Sequence, residues 1–323
     1  MIGALQSKWC MDLLLKTIGK VPFVVVKSKP EKKTSFIFPI PTEVIAKTKL
    51  SCGELSFASS GWMQIFQCGV AKYIQENYEY EDCHMVGTSG GALIACALCC
   101  DISMDTIFGE MIKTRKIYNN NIFMMCDYTK INIKKMLPKT CIELINNRLT
   151  IVCSKFKDFS FTPMYKNAFA TYEDVVKYLY ATIHIPIMDG CLPHEVDGQL
   201  LYDGLLTDSH PQISADCIHV NWDRTCNKKQ NIIPEIAIPV HWCIFPPDER
   251  ILHLLYCHGY YQAQIFFQKK DSPENVNAEN ILSELKEEMI RDKRTQELIS
   301  ITIYVIKGGF IFCGCFLISN MVL

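Results

Sequence analysis

The run V-G-T-S-G-G at Val86–Gly91 places Ser89 among small residues, between an apolar segment and a helical one. We predict a strand over Cys83–Val86, a sharp turn at Ser89 and a helix over Gly90–Cys100. Flanking glycines let such a turn adopt a strained backbone, and the helix points its free N–H groups and positive dipole end at the turn. The pattern predicts a nucleophile elbow, although an ordinary glycine-rich strand-to-helix turn would fit the same letters.

Two further segments favour the elbow. Upstream, Leu55–Trp62 runs from an alternating strand into small residues, and a helical stretch follows to about Ala71. A small-residue loop before a helix can present backbone N–H groups to an anion. Downstream, Leu200–Gly204 places Asp203 at the end of a short apolar strand, before a glycine that allows a tight turn. A loop, a serine and a carboxylate therefore follow one another in chain order.

In these three segments the chain resembles the patatin-like phospholipases, over about residues 51–265. The family pattern is a glycine-rich loop, a G-x-S-x-G elbow about thirty residues later, and a D-G-[GA] carboxylate near the end of the domain. Two weaker matches are to the family's A-S-x-x-I-P segment and to its Y-x-D-G-G-x-x-D-N-x-P ending. The matching segments are Ala58–Gly61, Gly87–Gly91, Ala181–Pro186 and Tyr202–Pro211.

The resemblance implies a three-layer α/β/α domain with a central, mostly parallel sheet. It implies that Ser89 is the nucleophile and Asp203 the base of a catalytic dyad, with an acyl-enzyme intermediate and with no cofactor or metal ion. Backbone N–H groups of the upstream loop would form the oxyanion hole, at Ser59, Ser60, Gly61 and Trp62. The motif glycines are Gly87, Gly91 and Gly204.

The chain departs from the family pattern at several positions. Ser59 and Gln64 stand where the loop usually carries glycine, and Leu205 replaces the second glycine of D-G-G. A serine at positive φ costs about 1 kcal/mol relative to glycine. If the loop is strained in this way, restoring glycine at Ser59 or Gln64 should raise activity.

Two alternatives to a catalytic dyad remain open. The order Ser89, Asp203 and a later histidine also suits a Ser-His-Asp triad, for which the candidates are His210, His219, His241, His253 and His258. The Asp-Gly context and the upstream loop favour the dyad. In the other alternative, the altered loop belongs to a non-catalytic lipid-binding or scaffold protein. The presence of both Ser89 and Asp203 argues against this alternative.

The sequence predicts four regions along the chain. Residues 1–50 form an N-terminal extension with a basic amphipathic start, and 51–265 form the patatin-like domain. Residues 266–298 form a polar helical linker, and 299–323 form a hydrophobic C-terminal segment. Within the domain, strand patterns such as Ile236–Phe245 alternate with helical patterns such as Tyr172–Tyr180, which is typical of an α/β sheet.

The net charge of −1 and the lack of a basic stripe argue against nucleic acid as a partner. The 17 cysteines are scattered and odd in number. Cys96 and Cys99 form a C-x-x-C, but no second pair follows at zinc spacing, so we interpret them as small buried residues. The composition indicates a reducing compartment.

The segment 299–323 is apolar apart from Lys307 and a few small polar residues, and 25 residues could cross a bilayer. Arg291, Lys293 and Arg294 just before it would keep the catalytic domain on the cytoplasmic side. The sequence thus predicts a membrane-associated enzyme acting on membrane or lipid-droplet lipids. A C-terminal helix packed on a soluble cytoplasmic domain is the alternative.

Overall fold

The computed structural model describes residues 47–118, 124–186, 188–226, 228–268 and 278–290. Its strands are β1 (Thr48–Lys49), β2 (Glu54–Phe57), β3 (Tyr78–Glu79), β4 (His84–Thr88), β5 (Leu149–Lys157), β6 (Ser160–Lys166), β7 (His194–Val196), β8 (Gln199–Asp203), β9 (Cys217–Val220) and β10 (Asn231–Ile232). Its helices are α1 (Gln64–Asn77), α2 (Gly90–Cys99), α3 (Met104–Tyr118), α4 (Met125–Met136), α5 (Cys141–Ile145), α6 (Tyr172–Thr182), α7 (Glu249–Gln268) and α8 (278–290).

Eight of these strands form one sheet in the order β10-β9-β2-β4-β5-β8-β7, with β6 also paired to β5. The pairings from β10 to β5 are parallel, while β8, β7 and β6 are antiparallel to their neighbours. All four residues of β2 are buried, as are the last four of β4. Strands buried without alternation are covered on both faces. The predicted α/β/α domain with a mostly parallel central sheet is therefore confirmed.

The register of the sheet brings the two predicted catalytic residues together. Thr88, at the end of β4, pairs with Val152 of β5, and Asp203, at the end of β8, pairs with Cys153 of the same strand. Ser89 follows Thr88 directly. Residues more than a hundred positions apart thus meet across one strand.

Local patterns predicted some elements better than others. The helix expected over Tyr172–Tyr180 is confirmed as α6, which begins with a capping box in which Thr171 accepts from the N–H of Asp174. The strand predicted over Ile236–Phe245 is wrong, because this segment is irregular and then forms a 3₁₀ helix over Val240–Cys243. Pro239 within it has no N–H to donate to a neighbouring strand.

The polar segment predicted as a linker over 266–298 contains α8. Leu285 of α8 is fully buried, and Arg250 of α7 forms ion pairs with Glu284 and Glu288, both at 2.8 Å. The described helix of this segment therefore packs against α7. The extension up to residue 46 and the hydrophobic segment 299–323 lie outside the described residues, and no helix within the described ranges has the length and apolar character needed to cross a bilayer.

Candidate active site

The turn at Ser89 has the geometry of a nucleophile elbow. Ser89 has φ 55° and ψ −130° and immediately precedes α2. Its N–H donates to the hydroxyl of Thr182 at 2.9 Å, and its carbonyl accepts the N–H of Ala92 at 3.0 Å. The Thr182 hydroxyl in turn donates to the carbonyl of Val152. A strained conformation persists where surrounding contacts determine it, and here they come from α2 and from Thr182 at the end of α6.

Close approach of main-chain segments explains the glycines around the turn. A Cβ added at Gly91 would lie 2.3 Å from the carbonyl oxygen of Ala58, so the upstream loop and α2 can touch only at a glycine. A Cβ at Gly87 or Gly204 would likewise lie 2.6 or 2.4 Å from a neighbouring main-chain atom. The motif glycines thus bring the upstream loop, the elbow and the carboxylate turn into direct contact.

Ser89 and Asp203 form a hydrogen-bonded pair. The Ser89 hydroxyl donates to Asp203 Oδ2 at 2.7 Å, and the N–H of Leu205 donates to the other carboxylate oxygen, Oδ1, at 2.9 Å. Asp203 is 1% exposed. Burial, partly offset by the two hydrogen bonds and by the charge of His184, raises the pKa of Asp203 to about 7. The carboxylate can therefore gain and lose a proton near neutral pH.

No histidine completes a triad within the described part of the chain. The side chains of Ser89 and Asp203 bond to each other and to the N–H of Leu205. Two of the predicted candidates have other partners: His210 lies 3.4 Å from Asp223, and His258 accepts the N–H of Glu235 at 3.3 Å. The geometry accordingly favours a dyad over a Ser-His-Asp triad.

The upstream loop presents two main-chain donors beside Ser89. Gly61 has φ +50°, and a Cβ added at Gly90 would lie 3.3 Å from the nitrogen of Gly61. Within the described residues, neither Gly61 nor Gly90 donates its N–H to an acceptor. Both belong to the first turn of a helical segment, where N–H groups lack intrahelical partners. These two N–H groups are available to a negatively charged oxygen next to Ser89.

Of the other predicted oxyanion donors, Ser59 uses its N–H elsewhere. The N–H of Ser59 donates to the carbonyl of Ser209 at 2.9 Å, so its assignment to the oxyanion hole is corrected. The Ser60 hydroxyl donates to Gln67 Oε1 at 2.9 Å, and Trp62 lines the cavity beside Ser89. The sequence singled out a loop of four donors, of which Gly61 has the clearest geometry.

The expected strain at the substituted loop positions is absent. Neither Ser59 nor Gln64 has positive φ, and Gln64 lies in the right-handed helical region at φ −53°. Leu205 lies in a 3₁₀ helix, where its side chain is compatible with donation of its N–H to Asp203. Restoring glycine at Ser59 or Gln64 is therefore not expected to raise activity, contrary to the expectation from sequence. The loop keeps glycine at Gly61, where positive φ requires it.

We expect Gly61→Ala to lower turnover by about a hundredfold or more, the usual cost of losing one oxyanion donor. A Cβ at this position would lie 2.3 Å from the carbonyl oxygen of Cys243, and the positive φ adds further strain. Ser59→Gly is the control and should change turnover little. Steady-state kinetics on a water-soluble ester, with the unfolding midpoint of each variant, test this. Equal turnover in wild type and a folded Gly61→Ala variant would contradict it.

A largely apolar cavity begins at Ser89. One face of α2 forms one wall, and α3, α4 and α6 contribute the others. Its apolar lining includes Leu93, Ala97, Ile107, Met111, Ile133, Met136, Leu137, Leu179 and Ile183. An apolar lining of this kind is compatible with a hydrocarbon chain next to the serine.

The C-x-x-C pair lies on α2, where Cys96 and Cys99 are both buried. Burial raises the pKa of the Cys99 thiol to about 12, as expected of a small apolar residue in the core. In the part of the chain that the structure describes, no three histidine, cysteine or acidic side chains converge in a way that would hold a metal ion.

Sequence reasoning missed two residues that support the site. Thr182 fixes the N–H of Ser89, and Gln67 holds the upstream loop by donating to the carbonyls of Ala58 at 2.8 Å and Val220 at 3.2 Å. Thr182 stands at the second position of the A-S-x-x-I-P match, where serine and threonine both supply a hydroxyl. That match therefore carried the signal for Thr182, whereas nothing in the local sequence distinguishes Gln67 from other helical glutamines.

Comparison with known proteins identifies the family of this chain. Residues 55–216, half of the chain, match the family model described as patatin-like phospholipase. The chain belongs to the patatin-like phospholipase family.

Curated relatives are similar over part of their length. An omega-hydroxyceramide transacylase of Homo sapiens is 23% identical over 249 residues, covering 67% of this chain and 46% of the relative. A 1-acylglycerol-3-phosphate O-acyltransferase of Mus musculus is 24% identical over 172 residues, covering 50% of this chain and 41% of the relative. This chain spans less than half the length of either. Among solved structures, VipD from Legionella pneumophila matches with a TM-score of 0.43 at 12% identity, covering 69% of this chain and 68% of VipD.

Proposed function

We propose that this chain is a serine lipid acyl hydrolase that uses the Ser89–Asp203 dyad. The observation that carries the proposal is the 2.7 Å hydrogen bond from the Ser89 hydroxyl to a buried carboxylate, at a strained elbow beside two available N–H groups. A nucleophile bonded to its base, next to donors for the developing oxyanion, is the arrangement that acyl transfer to serine requires.

The proposed reaction has two halves. In the first, Ser89 Oγ attacks the acyl carbonyl while Asp203 takes the hydroxyl proton, and the N–H groups of Gly61 and Gly90 stabilise the oxyanion. Asp203 then protonates the departing alcohol, which leaves an acyl-serine ester. In the second half, Asp203 takes a proton from water, which attacks the same carbonyl, and the fatty acid departs as the proton returns to Ser89.

The pKa of Asp203 suits both roles. A carboxylate at the ordinary value of 3.8 would be a weak base, whereas burial raises the pKa of this group to about 7. Main-chain donors supply the charge stabilisation in this mechanism, so it includes no cofactor and no metal ion.

The substrates that we propose are lipid acyl esters, with phospholipid or lysophospholipid first and triacylglycerol second. The cavity follows α2 from Ser89 to Ala97, a distance of about 12 Å at 1.5 Å per residue. Its apolar lining matches a fatty acyl chain, which leaves the polar part of the lipid outside. Membership in a family of lipid-acting proteins supports the same substrate class.

A second candidate reaction is transfer of the acyl group to an alcohol in place of water. Two relatives carry the names transacylase and acyltransferase, and both reactions would proceed through the same acyl-serine. The presence of an intact, hydrogen-bonded dyad counts against the non-catalytic alternative.

We further propose that the enzyme works at a membrane or lipid droplet, facing the cytoplasm, with residues 299–323 as the attachment.

The test is to incubate the purified chain with phospholipid, lysophospholipid and triacylglycerol, with and without a long-chain alcohol, and to identify the products by mass spectrometry. Free fatty acid is expected in every active mixture, and a new ester with the alcohol would support acyl transfer. A fluorophosphonate should form a covalent adduct at Ser89. If no product and no adduct form with the folded chain, the non-catalytic alternative is correct.

A further inference from the structure

The ring of His184 lies between two hydrogen-bond acceptors. Its Nδ1 is 2.7 Å from Asp189 Oδ2, and its Nε2 is 2.8 Å from the carbonyl oxygen of Leu192. A neutral imidazole has one N–H and one lone pair, so it can satisfy only one of the two acceptors. The doubly protonated imidazolium satisfies both. The side chain is 6% exposed, so water does not offer a ready substitute.

The partner carboxyl group of Asp189 is ionised. Lys130 Nζ lies 2.6 Å from both of its oxygens. Burial alone would raise the pKa of Asp189, but the hydrogen bonds from His184 and Lys130 outweigh it and place the pKa below its usual range. Asp189 therefore has no proton to donate, and the His184 ring must donate to it.

His184 is also connected to the proposed base through the main chain. Its carbonyl accepts the N–H of Asp203 at 2.9 Å, and its ring lies 5.5 Å, centroid to centroid, from the ring of Tyr202. A cation at this position favours the ionised form of the nearby buried carboxylate. Lys130, Asp189, His184 and Asp203 then form a series of alternating charge that ends at the catalytic site.

We propose that His184 is a positioning residue, held as an imidazolium between Asp189 and Leu192, whose charge and main-chain carbonyl keep Asp203 ionised and in place to accept the Ser89 proton. This inference rests on the proposed function, since it assigns a role to a residue that supports the same base. His184 itself does not touch Ser89.

The other titratable groups around the pair do not supply this charge. The ring of His194 lies 6.2 Å from that of His184, and burial, with the charge of His184, lowers its pKa. The thiols of Cys126 and Cys153 also lie near Asp203. Burial raises the pKa of each thiol, and the negative charge of Asp203 raises it further. Both thiols and the His194 ring are therefore neutral at pH 7. Among the described residues, His184 is the one whose charge lowers the pKa of Asp203.

The test is the pH dependence of fluorophosphonate labelling at Ser89, because labelling requires ionised Asp203. In the wild type the rate should rise with pH through about 7, the pKa of Asp203. In His184→Gln the loss of the cation raises that pKa, so the rise should move to higher pH by about one unit. Labelling should then be about fivefold slower at pH 7 and close to the wild-type rate at pH 9. His194→Gln, which removes a neutral ring nearby, should leave the profile unmoved.

His184→Lys should move the profile back towards that of the wild type, because it restores a positive charge. Equal slowing of labelling by His184→Gln at every pH would show a merely structural role and overturn the proposal. A second measurement requires neither catalytic activity nor a variant protein. In the ¹⁵N-histidine spectrum of the wild-type chain, the ring assigned by its contact with Tyr202 should carry N–H on both nitrogens at pH 7. A neutral ring would overturn the proposal even if the enzyme is active, whereas absence of labelling with a doubly protonated ring would overturn the proposed function alone.

Discussion

Replacing Ser89 with alanine is expected to lower lipid ester turnover by roughly 10⁵-fold or more, because the proposed acyl-enzyme can no longer form. The chain should still fold, since within the described ranges the Ser89 hydroxyl hydrogen-bonds only to Asp203, and the N–H contact with Thr182 does not depend on the side chain. Release of fatty acid from phospholipid measures turnover, and circular dichroism of each protein measures folding. Ser56→Ala is the matched control, because Ser56 is also almost fully buried, at 1% exposure, but its hydroxyl donates to Pro211.

Asp203→Asn should reduce turnover about as far as Ser89→Ala does, because the two groups act as one unit. The double variant should be no worse than the lower single variant, since members of one catalytic unit are not additive. Multiplied losses in the double variant would show that Asp203 acts separately from Ser89. Turnover by Ser89→Ala equal to that of the wild type would remove Ser89 from the mechanism altogether.

The approach of Ser89 to Asp203 could be predicted from sequence because short local patterns determine it. Each part is a strand end followed by a turn that only glycine permits, and such turns leave clear signals in a few consecutive residues. Parallel strands place their carboxyl ends at one edge of a sheet, which is where Ser89 lies. Asp203 reaches the same place from an antiparallel strand, and the family resemblance indicated that placement.

The supporting contacts could not be predicted, because they depend on residues distant in sequence. The bond from the Ser59 N–H to Ser209 and the bond from the Ser89 N–H to Thr182 each span more than ninety residues. The expected strain at Ser59 assumed a positive φ at this residue, which the amino-acid sequence alone does not determine. Local hydrophobicity also misassigned the segment Ile236–Phe245, where Pro239 decides against a strand.

His184 is a further example of a residue whose role depends on tertiary contacts. In the sequence it occupies a variable position of the A-S-x-x-I-P match, and an isolated histidine indicates little. Its significance comes from a carboxylate five residues later, a carbonyl eight residues later and the base nineteen residues later, which the fold brings to one place.

The same Asp203→Asn change should make the protein more stable at alkaline pH while it abolishes activity. The folded state raises the pKa of Asp203 from its ordinary value of 3.8 to about 7, chiefly through burial. The folded chain therefore holds this proton more tightly than the unfolded chain. The stability contributed by the protonated group is fully present below about pH 4 and is lost as the pH rises through 7.

The displacement of the pKa from 3.8 to about 7 corresponds to roughly 4 kcal/mol of stability lost by pH 8, as an upper estimate. Asparagine has no proton to lose, so the variant should escape this loss. We expect the free energy of unfolding of Asp203→Asn, relative to that of the wild type, to be several kcal/mol greater at pH 8 than at pH 4. Urea unfolding of both proteins at the two pH values measures this difference. If the difference between the proteins is the same at both pH values, then burial does not hold Asp203 away from its ordinary pKa, and the basis for its role as a base near neutral pH is lost.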